Sequence, residues 1–286
     1  MKISIIIVTY NSSKHIYDCL ESVFLYNDIG DALEVIVVDN HSQEQEQMFS
    51  IINEKYGDRV ILVDSGKNGG YGYGNNIGVK CVTSDFFIVM NPDVRLVVPI
   101  FGNLIGKFEN SRIGMIGVDF VDGSFPYYLK RGYATVINSL FVKYYIKYKK
   151  YNPEKMFLSG SFLAFRKSAF IESGAFDDNI FMYTEEADIT NRLLSKGYEV
   201  VWYPDIKVQH LAHGRQYNAF LDKVRLQSGR YYELKYGVDS EKVFKTTQTV
   251  LRIKIVVAKL INNKAKADYF KQMLTTLQAF RKNGWR

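Results

Sequence analysis

Apolar and polar positions alternate in blocks along the first third of the chain. Residues 3–8 form an almost continuous β-branched run, the pattern of a strand buried on both faces. Over 13–27 the spacing changes to that of a helix, with Ile16, Cys19, Leu20 and Val23 on one face. A strand over 35–38, a helix over 44–56, a strand over 60–63, a helix over 75–82 and a strand over 86–90 follow. This order predicts an α/β fold with a mostly parallel sheet and helices on both faces. After residue 99 the rhythm is less regular. A helix is expected over 99–109 and a strand over 114–118, and then an irregular Tyr-rich stretch over 119–157. A strand over 162–165, short helices over 167–173 and 185–196, and a last strand over 200–203 complete this part, with Gly197 as a helix C-cap. Helical spacing returns in Leu251, Ile255, Ala258 and Ile261 and in Leu274, Leu277 and Phe280. The expected organisation is one α/β domain over 1–240, with halves 1–98 and 99–240, and a helical extension over 241–286.

Sheets of this kind bind ligands beyond the carboxyl ends of their strands. The residues just after the first four predicted strands are Thr9-Tyr10-Asn11, Asp39-Asn40-His41-Ser42, residues 64–68 and Asn91-Pro92-Asp93. All are short and polar, as a ligand-binding edge requires.

Composition narrows the class. The chain has 286 residues, 47% hydrophobic and 23% charged, which is ordinary for a globular protein. Its apolar runs fall far short of the ~18–20 residues that span a bilayer. Residues 1–11 lack the long apolar segment of a secretory leader, so a cytosolic location is expected. The two cysteines, Cys19 and Cys81, lie in apolar patterns and read as reduced thiols that cannot build a zinc site. The net charge of +7 is unevenly spread. Residues 245–286 hold ten Lys or Arg and one acid, Asp268, whereas 1–244 hold 27 basic and 29 acidic residues. A basic amphipathic helix suits an anionic membrane surface. The basic and aromatic stretch over 141–151 can add to it, at about 1 kcal/mol per lysine near the leaflet. Tyr269, Phe270 and Trp285 are too sparse to stack bases, so nucleic acid is not expected as a partner.

The common nucleotide fingerprints are absent. The turn after the first strand has no glycine, where a dinucleotide fold needs several so that backbone can approach the pyrophosphate. The glycine-rich stretch 69–74 follows the third strand instead, and Gly66-Lys67 lacks the rest of a P-loop.

The candidate chemistry lies in a few polar residues. Asp39 ends a buried strand, where it suits a turn or a hydrogen bond to a nucleoside. Asp93 follows Asn91-Pro92 in a rigid turn and can hold Mg²⁺ or Mn²⁺. Glu185, Glu186 and Asp188 open a helix behind Thr184, a candidate N-cap. They either complement the helix dipole or supply a general base, whose carboxylate the dipole would keep ionised at pH 7. Asp188 can also pair with Arg192 one turn on. His210 and His213 follow the last strand, and a neutral imidazole there suits a Mn²⁺ shared with Asp93. Arg215 suits a phosphate.

Together these residues resemble the inverting glycosyltransferases of family 2, which have the GT-A fold. The resemblance covers residues 1–215. It rests on Ser4 to Asn11, Val37-Val38-Asp39-Asn40-His41-Ser42, Asn68 to Gly78, Asn91-Pro92-Asp93, Ser159 to Lys167, Gly174 to Asp177, Phe181 to Asp188 and His210. The run Asn68-Gly69-Gly70-Tyr71-Gly72-Tyr73-Gly74-Asn75-Asn76-Ile77-Gly78 is similar to the rhamnosyltransferase-like branch.

The resemblance implies roles. Thr9, Tyr10, Asn11 and Asp39 would hold the nucleoside, and Asn68, Gly69, Asn75 and Asn91 would lie along the donor. Asp93 would bind metal and diphosphate, with His210 as a further ligand. Glu186 stands where the family has its catalytic aspartate and is the expected base, with Glu185 and Asp188 beside it. Gly160, Arg166 and Arg215 would face the acceptor or phosphates. Two departures matter. Asn91 replaces an acid of the family's metal-binding pair, which weakens a Mg²⁺ or Mn²⁺ site. Glu186 in place of Asp adds a methylene, and a misplacement of about an ångström can cost ~10²-fold. The implied activity is inverting transfer of a sugar, rhamnose or another hexose such as galactofuranose, from a dTDP- or UDP-sugar to a lipid-linked glycan at the inner membrane face. A nucleotide-sugar-binding scaffold without catalysis is the alternative.

Overall fold

A computed structural model describes residues 1–211 and 217–285. The chain packs as two compact units. The first comprises Met1–Tyr127, Leu158–Phe181 and Glu185–Ala212, and the second Tyr128–Phe157, Met182–Thr184 and His213–Arg286. The Tyr-rich stretch therefore belongs with the C-terminal helices, and the boundary falls near residue 212 rather than 240.

The first unit is built on an eight-stranded sheet. In chain order its strands are β1 (Ile3–Thr9), β2 (Leu33–Asp39), β3 (Val60–Asp64), β4 (Phe86–Met90), β5 (Val94–Leu96), β6 (Ile113–Phe120), β9 (Phe162–Arg166) and β10 (Glu199–His210). β7 (Tyr127–Leu129) and β8 (Met156–Leu158) form a separate two-stranded sheet. The order across the large sheet is β3-β2-β1-β4-β9-β6-β10-β5. β3, β2, β1 and β4 are parallel, and so are β6 and β10. β9 runs antiparallel between β4 and β6, and β5 antiparallel to β10. The predicted mostly parallel α/β sheet is thus present. β1 and β4 are central and buried on both faces, which accounts for their unbroken apolar sequence.

α1 (Ser13–Leu25), α2 (Gln45–Tyr56) and α4 (Phe101–Lys107) share a core with the sheet centred on Ile3, Ile5, Ile7, Val35, Val37 and Ile88. α3 (Tyr71–Cys81) packs on β1 and β2. It begins four residues earlier than its apolar pattern predicts. The glycine run is helical because its glycines let backbone lie flush on the sheet: a Cβ at Gly74 would overlap Val8 and Asn40, and one at Gly78 would overlap Ile6. α7 (Lys167–Glu172) adds Phe170 to a cluster of Phe87, Phe165 and Phe176. α8 (Glu185–Ser195) follows Tyr183 and Thr184, two successive non-glycine residues with positive φ, 71° and 74°.

Two strands differ from expectation in ways that shape the site. β5 is absent from the predicted elements because three residues carry no readable period. β10 extends to His210, seven residues beyond its predicted end, across an irregularity between Tyr203 and Lys207. That break, with Pro204 and Asp205, interrupts the apolar pattern without ending the strand.

The second unit is helical, with α5 (Val136–Leu140), α6 (Val142–Lys147), α9 (Ala219–Lys235), α10 (Ser240–Leu260) and α11 (Lys264–Lys282). Thr135, Asn218, Asp239 and Asn263 cap α5, α9, α10 and α11, each side chain accepting a backbone N–H three residues on. Leu226, Leu251, Leu277 and Phe280 form the core of α9, α10 and α11. Most of the apolar stripe read as a membrane face is therefore spent on helix packing. Ile261 of that stripe stays exposed at the end of α10 beside Val256, Val257 and Leu260, and so do Ile137, Leu140, Phe141, Tyr144 and Tyr148 on and beside α5 and α6 and Phe220 and Leu234 on α9.

Candidate active site

The strand registers bring the polar loops to one sheet edge. Thr9 pairs with Asp39, and Met90 with Phe162, so the turns after β1, β2 and β4 and the turn before β9 share that edge. β6 and β10 end there too, with Phe120 beside Val208.

At one end of this edge, Asp39 is enclosed. Thr9 Oγ1 donates to Asp39 Oδ1 over 2.8 Å, the Ser42 N–H to Oδ2 over 2.7 Å and Ser42 Oγ to Oδ1 over 2.6 Å. The Asn11 N–H in turn donates to Ser42 Oγ over 2.7 Å, and the Gln43 N–H to Asn11 Oδ1 over 3.1 Å. Asn11 and His41 both have positive φ. The structure thus brings Thr9, Asn11 and Asp39 together as a clamp joining the ends of β1 and β2. Tyr10 projects from it, 49% exposed.

Asp93 and His210 meet at the antiparallel pairing of β5 and β10, where His210 lies opposite Val94. The Leu211 N–H donates to the Asp93 carbonyl over 2.8 Å. His210 Nε2 is buried, 3.5 Å from Asp93 Oδ1, with no hydrogen-bond partner among the described residues. Asp122 accepts the His210 backbone N–H over 3.1 Å. Burial works against ionisation of Asp122, but hydrogen bonds from Ser124 and His210 outweigh it and hold the carboxyl below its ordinary value. No group of three or more His, Cys, Asp or Glu that could hold a metal occurs among the described residues. Asp93 and the orphaned imidazole nitrogen nonetheless fit a Mg²⁺ or Mn²⁺ that takes its other ligands from phosphate and water. Asn91 closes the preceding turn: its N–H donates to the Ser161 carbonyl over 2.9 Å, and its carbonyl accepts the Val94 N–H over 3.1 Å.

The acids of α8 occupy three different settings. Asp188 is fully buried and binds Arg192 through Nε at 2.9 Å and Nη2 at 2.7 Å, so it holds an ion pair and does not offer a base. Glu185 is buried beside Tyr71. Glu186 keeps some solvent access, and the backbone N–H groups of Gly160 and of Glu186 itself favour its charged form. Burial is the larger effect and pushes its carboxyl up to about 7. The expectation that the helix terminus keeps it fully ionised at pH 7 is therefore corrected, because desolvation is the larger effect here. Thr184, just before α8, has positive φ where an N-cap is ordinarily extended, and its hydroxyl donates to the Ser228 carbonyl over 3.3 Å. Gly160 lies directly against Glu186, and a Cβ there would overlap the carboxylate.

Other expected residues fall elsewhere. Arg166 lies opposite Phe86, at the far end of β4 from the turn holding Asp93. Its guanidinium donates to the carbonyls of Phe108, Asn110 and Ile113 and stacks on Phe86, so it is structural and not on the acceptor side. Asn75 is buried in α3, donating to the Tyr71 carbonyl over 2.9 Å. Asn68 accepts the Gly70 N–H over 3.2 Å and shapes the turn into α3, next to Gly69. His213 and Arg215 lie outside the described residues. Tyr71 and Asp122 were missed by sequence reasoning. Asp122 was legible by the rule used for the other strands, since it follows β6 in a polar Asp-Gly-Ser turn. Tyr71 carried no such signal.

A mostly parallel sheet with acids and a histidine gathered at one edge fits a glycosyltransferase of GT-A fold, and the relatives of the chain show that class. The chain belongs to glycosyl transferase family 2, whose sequence profile matches residues 4–174. It is 27% identical over 234 residues to the N-acetylglucosaminyl-diphospho-decaprenol L-rhamnosyltransferase of Mycobacterium tuberculosis, covering 72% of this chain and 75% of that one. It is 25% identical over 229 residues to the rhamnosyltransferase WbbL of Escherichia coli K12, covering 73% and 83%. Among solved structures, the mannosyltransferase PcManGT of Pyrobaculum calidifontis, in complex with GDP-Man and Mn²⁺, superposes with a TM-score of 0.63 at 16% identity. That superposition covers 98% of this chain and 75% of the other, and it shows the shared fold.

Proposed function

We propose that the protein transfers a sugar, rhamnose by the similarity to the two rhamnosyltransferases, from a dTDP- or UDP-linked donor to a hydroxyl of a lipid-linked glycan intermediate. The observation that carries this reading is the placement of Glu186 at the same sheet edge as Asp93 and His210. Glu186 accepts the proton of the acceptor hydroxyl. The acceptor oxygen forms its bond to the anomeric carbon as the bond from that carbon to the diphosphate breaks, and the electron pair leaves on the diphosphate. A single displacement inverts the anomeric configuration. Asp93 and His210 would hold a Mg²⁺ or Mn²⁺, which when bound supplies positive charge for the leaving diphosphate. The clamp of Thr9, Asn11 and Asp39, with Tyr10 projecting from it, lies where the nucleoside would sit.

The lipid-linked acceptor agrees with a peripheral position on an anionic inner membrane surface. None of the described helices is long and apolar enough to cross a membrane. Leu260 is 78% exposed and Ile137 68% exposed, and lysines 143, 147, 149, 150, 259 and 264 accompany the exposed apolar residues. These support surface contact through α5, α6 and the end of α10 rather than through the whole 245–286 segment.

The test begins with thermal shifts with UDP, dTDP, GDP and CMP, each with and without Mn²⁺ or Mg²⁺. A ligand at 100-fold its Kd adds about 2.7 kcal/mol, a shift of several degrees at this size. A selective dTDP or UDP shift is expected, followed by transfer to a polyprenyl-diphosphate sugar with inverted configuration. Glu186→Gln should abolish that transfer, by about 10³-fold or more, and keep the nucleotide shift. A product of retained configuration, or normal turnover by Glu186→Gln, rejects this mechanism.

A further inference from the structure

Tyr71, the first residue of α3, is fixed from several sides. Its N–H donates to the Phe181 carbonyl over 2.9 Å, and its ring meets Phe176 edge-on at 5.7 Å. The preceding Gly70 (φ 92°) approaches Phe181 so closely that a Cβ would overlap the carbonyl, and its own carbonyl accepts Asn40 Nδ2 over 2.8 Å. The result is a ring held rigidly with one polar atom to direct. That atom, Tyr71 Oη, donates to the Gly160 carbonyl over 2.6 Å.

Gly160 lies directly against the Glu186 carboxylate, so close that a Cβ there would overlap it, and its N–H favours the ionised carboxylate. Its neighbours are tied down separately: the Ser159 N–H donates to Pro126 and the Asn91 N–H to Ser161, both over 2.9 Å. Tyr71 is the side chain that grips Gly160 itself. Burial, then the charges of Glu186 and Glu185, push the Tyr71 hydroxyl well above its ordinary value, so it stays protonated and acts as a donor.

We propose that Tyr71 is a positioning residue for the transfer reaction, acting through Gly160 to place the Glu186 carboxylate and tune its proton affinity. This rests on the reading of Glu186 as the base. Removing the hydroxyl frees the Gly160 carbonyl, lets Gly160 shift against the carboxylate it abuts and lets the proton affinity of Glu186 rise, because the nearby N–H favours the ionised form.

The experiment compares Tyr71→Phe, Glu186→Gln and wild-type full-length protein in a transfer assay across pH 5.5–9. Tyr71→Phe should lower kcat about tenfold at pH 7, the scale of one well-placed hydrogen bond. Donor KM should change less than about twofold, and the acid limb of the pH profile should move up by roughly half a unit or more. 4-Aminophenylalanine at position 71 keeps the ring and a donor and should restore both rate and limb. It also serves if Tyr71→Phe does not fold. A merely structural role would lower the amount of active protein without moving the limb. Wild-type kcat and limb in Tyr71→Phe, with Glu186→Gln inactive, overturns the role of Tyr71 and leaves the base in place. Failure of folded 4-aminophenylalanine protein to recover the rate also overturns it. Turnover by Glu186→Gln removes the base and this proposal with it.

Discussion

Glu186 carries two opposed requirements in one side chain. A base must be ionised to take a proton, yet enclosure raises its carboxyl to about 7. The acid limb of kcat/KM should therefore rise with pH through about 7, a bell-profile measurement on the free enzyme. The same shift bears on stability. Because the folded value lies above the unfolded one, the folded state binds the proton more tightly. That contribution is complete below about 4.5 and is lost as pH rises through about 7. Glu186→Gln should thus gain Tm relative to wild type between pH 5 and pH 8. A constant difference across that range would show that the group is not desolvated. Asp188 makes the contrasting case. Its substitution by Asn leaves Arg192 without its buried partner and should cost about 3–5 kcal/mol, read by denaturant unfolding. A variant that keeps full stability but loses turnover would return Asp188 to the chemistry.

At the scale of elements, the glycine run shows what local pattern can hide. Glycine-rich sequence after a strand suggests a loop around phosphates, but Gly74 and Gly78 instead let α3 lie directly on β1 and β2. Gly78→Ala improves helix propensity by about 1 kcal/mol but drives a methyl into Ile6 and Val38. Overpacking of that kind costs about 1–3 kcal/mol, which leaves a net loss of up to about 2 kcal/mol, so Tm should fall by up to roughly 4–8 °C in a thermal melt. A rise would mean that the helix moves off the sheet at little cost. α10 and α11 show the converse. Their 3.6-residue period was legible, but period alone does not say whether an apolar stripe faces lipid or another helix, and here Leu226, Leu251, Leu277 and Phe280 answer one another.

For the whole molecule, that packing changes how membrane contact must be tested. Deleting 245–286 would strip Leu226 of its partners and unmask the core of the second unit. Introducing acids at exposed apolar positions avoids this. Phe141→Glu with Ile261→Glu should lower sedimentation with anionic vesicles by about tenfold or more and leave the far-UV spectrum and nucleotide shift unchanged. Undiminished vesicle binding would place the contact elsewhere. The uneven charge still matters here, because attraction of the basic second unit to the leaflet should weaken between low and physiological salt.

The sequence by itself determined the β-α alternation, the α/β class and the polar loops at the strand ends. Each depends on local periodicity or on turn chemistry, and both are written along the chain. Turn and helix-start positions made Asp39, Asp93, His210, His213 and the acids of 185–188 candidates, and the family resemblance singled out Glu186 and His210 among them. Only the tertiary structure decided which of them lie close together. β5 is too short to show a period, yet it brings Asp93 to His210, residues 117 apart in sequence. Tyr71 meets Gly160 across 89 residues. Arg166 matches its motif, but the antiparallel direction of β9 carries it to the opposite end of β4. Strand direction, pairing and burial are properties of chain segments meeting in space, and it is burial that sets the proton affinity of the proposed base.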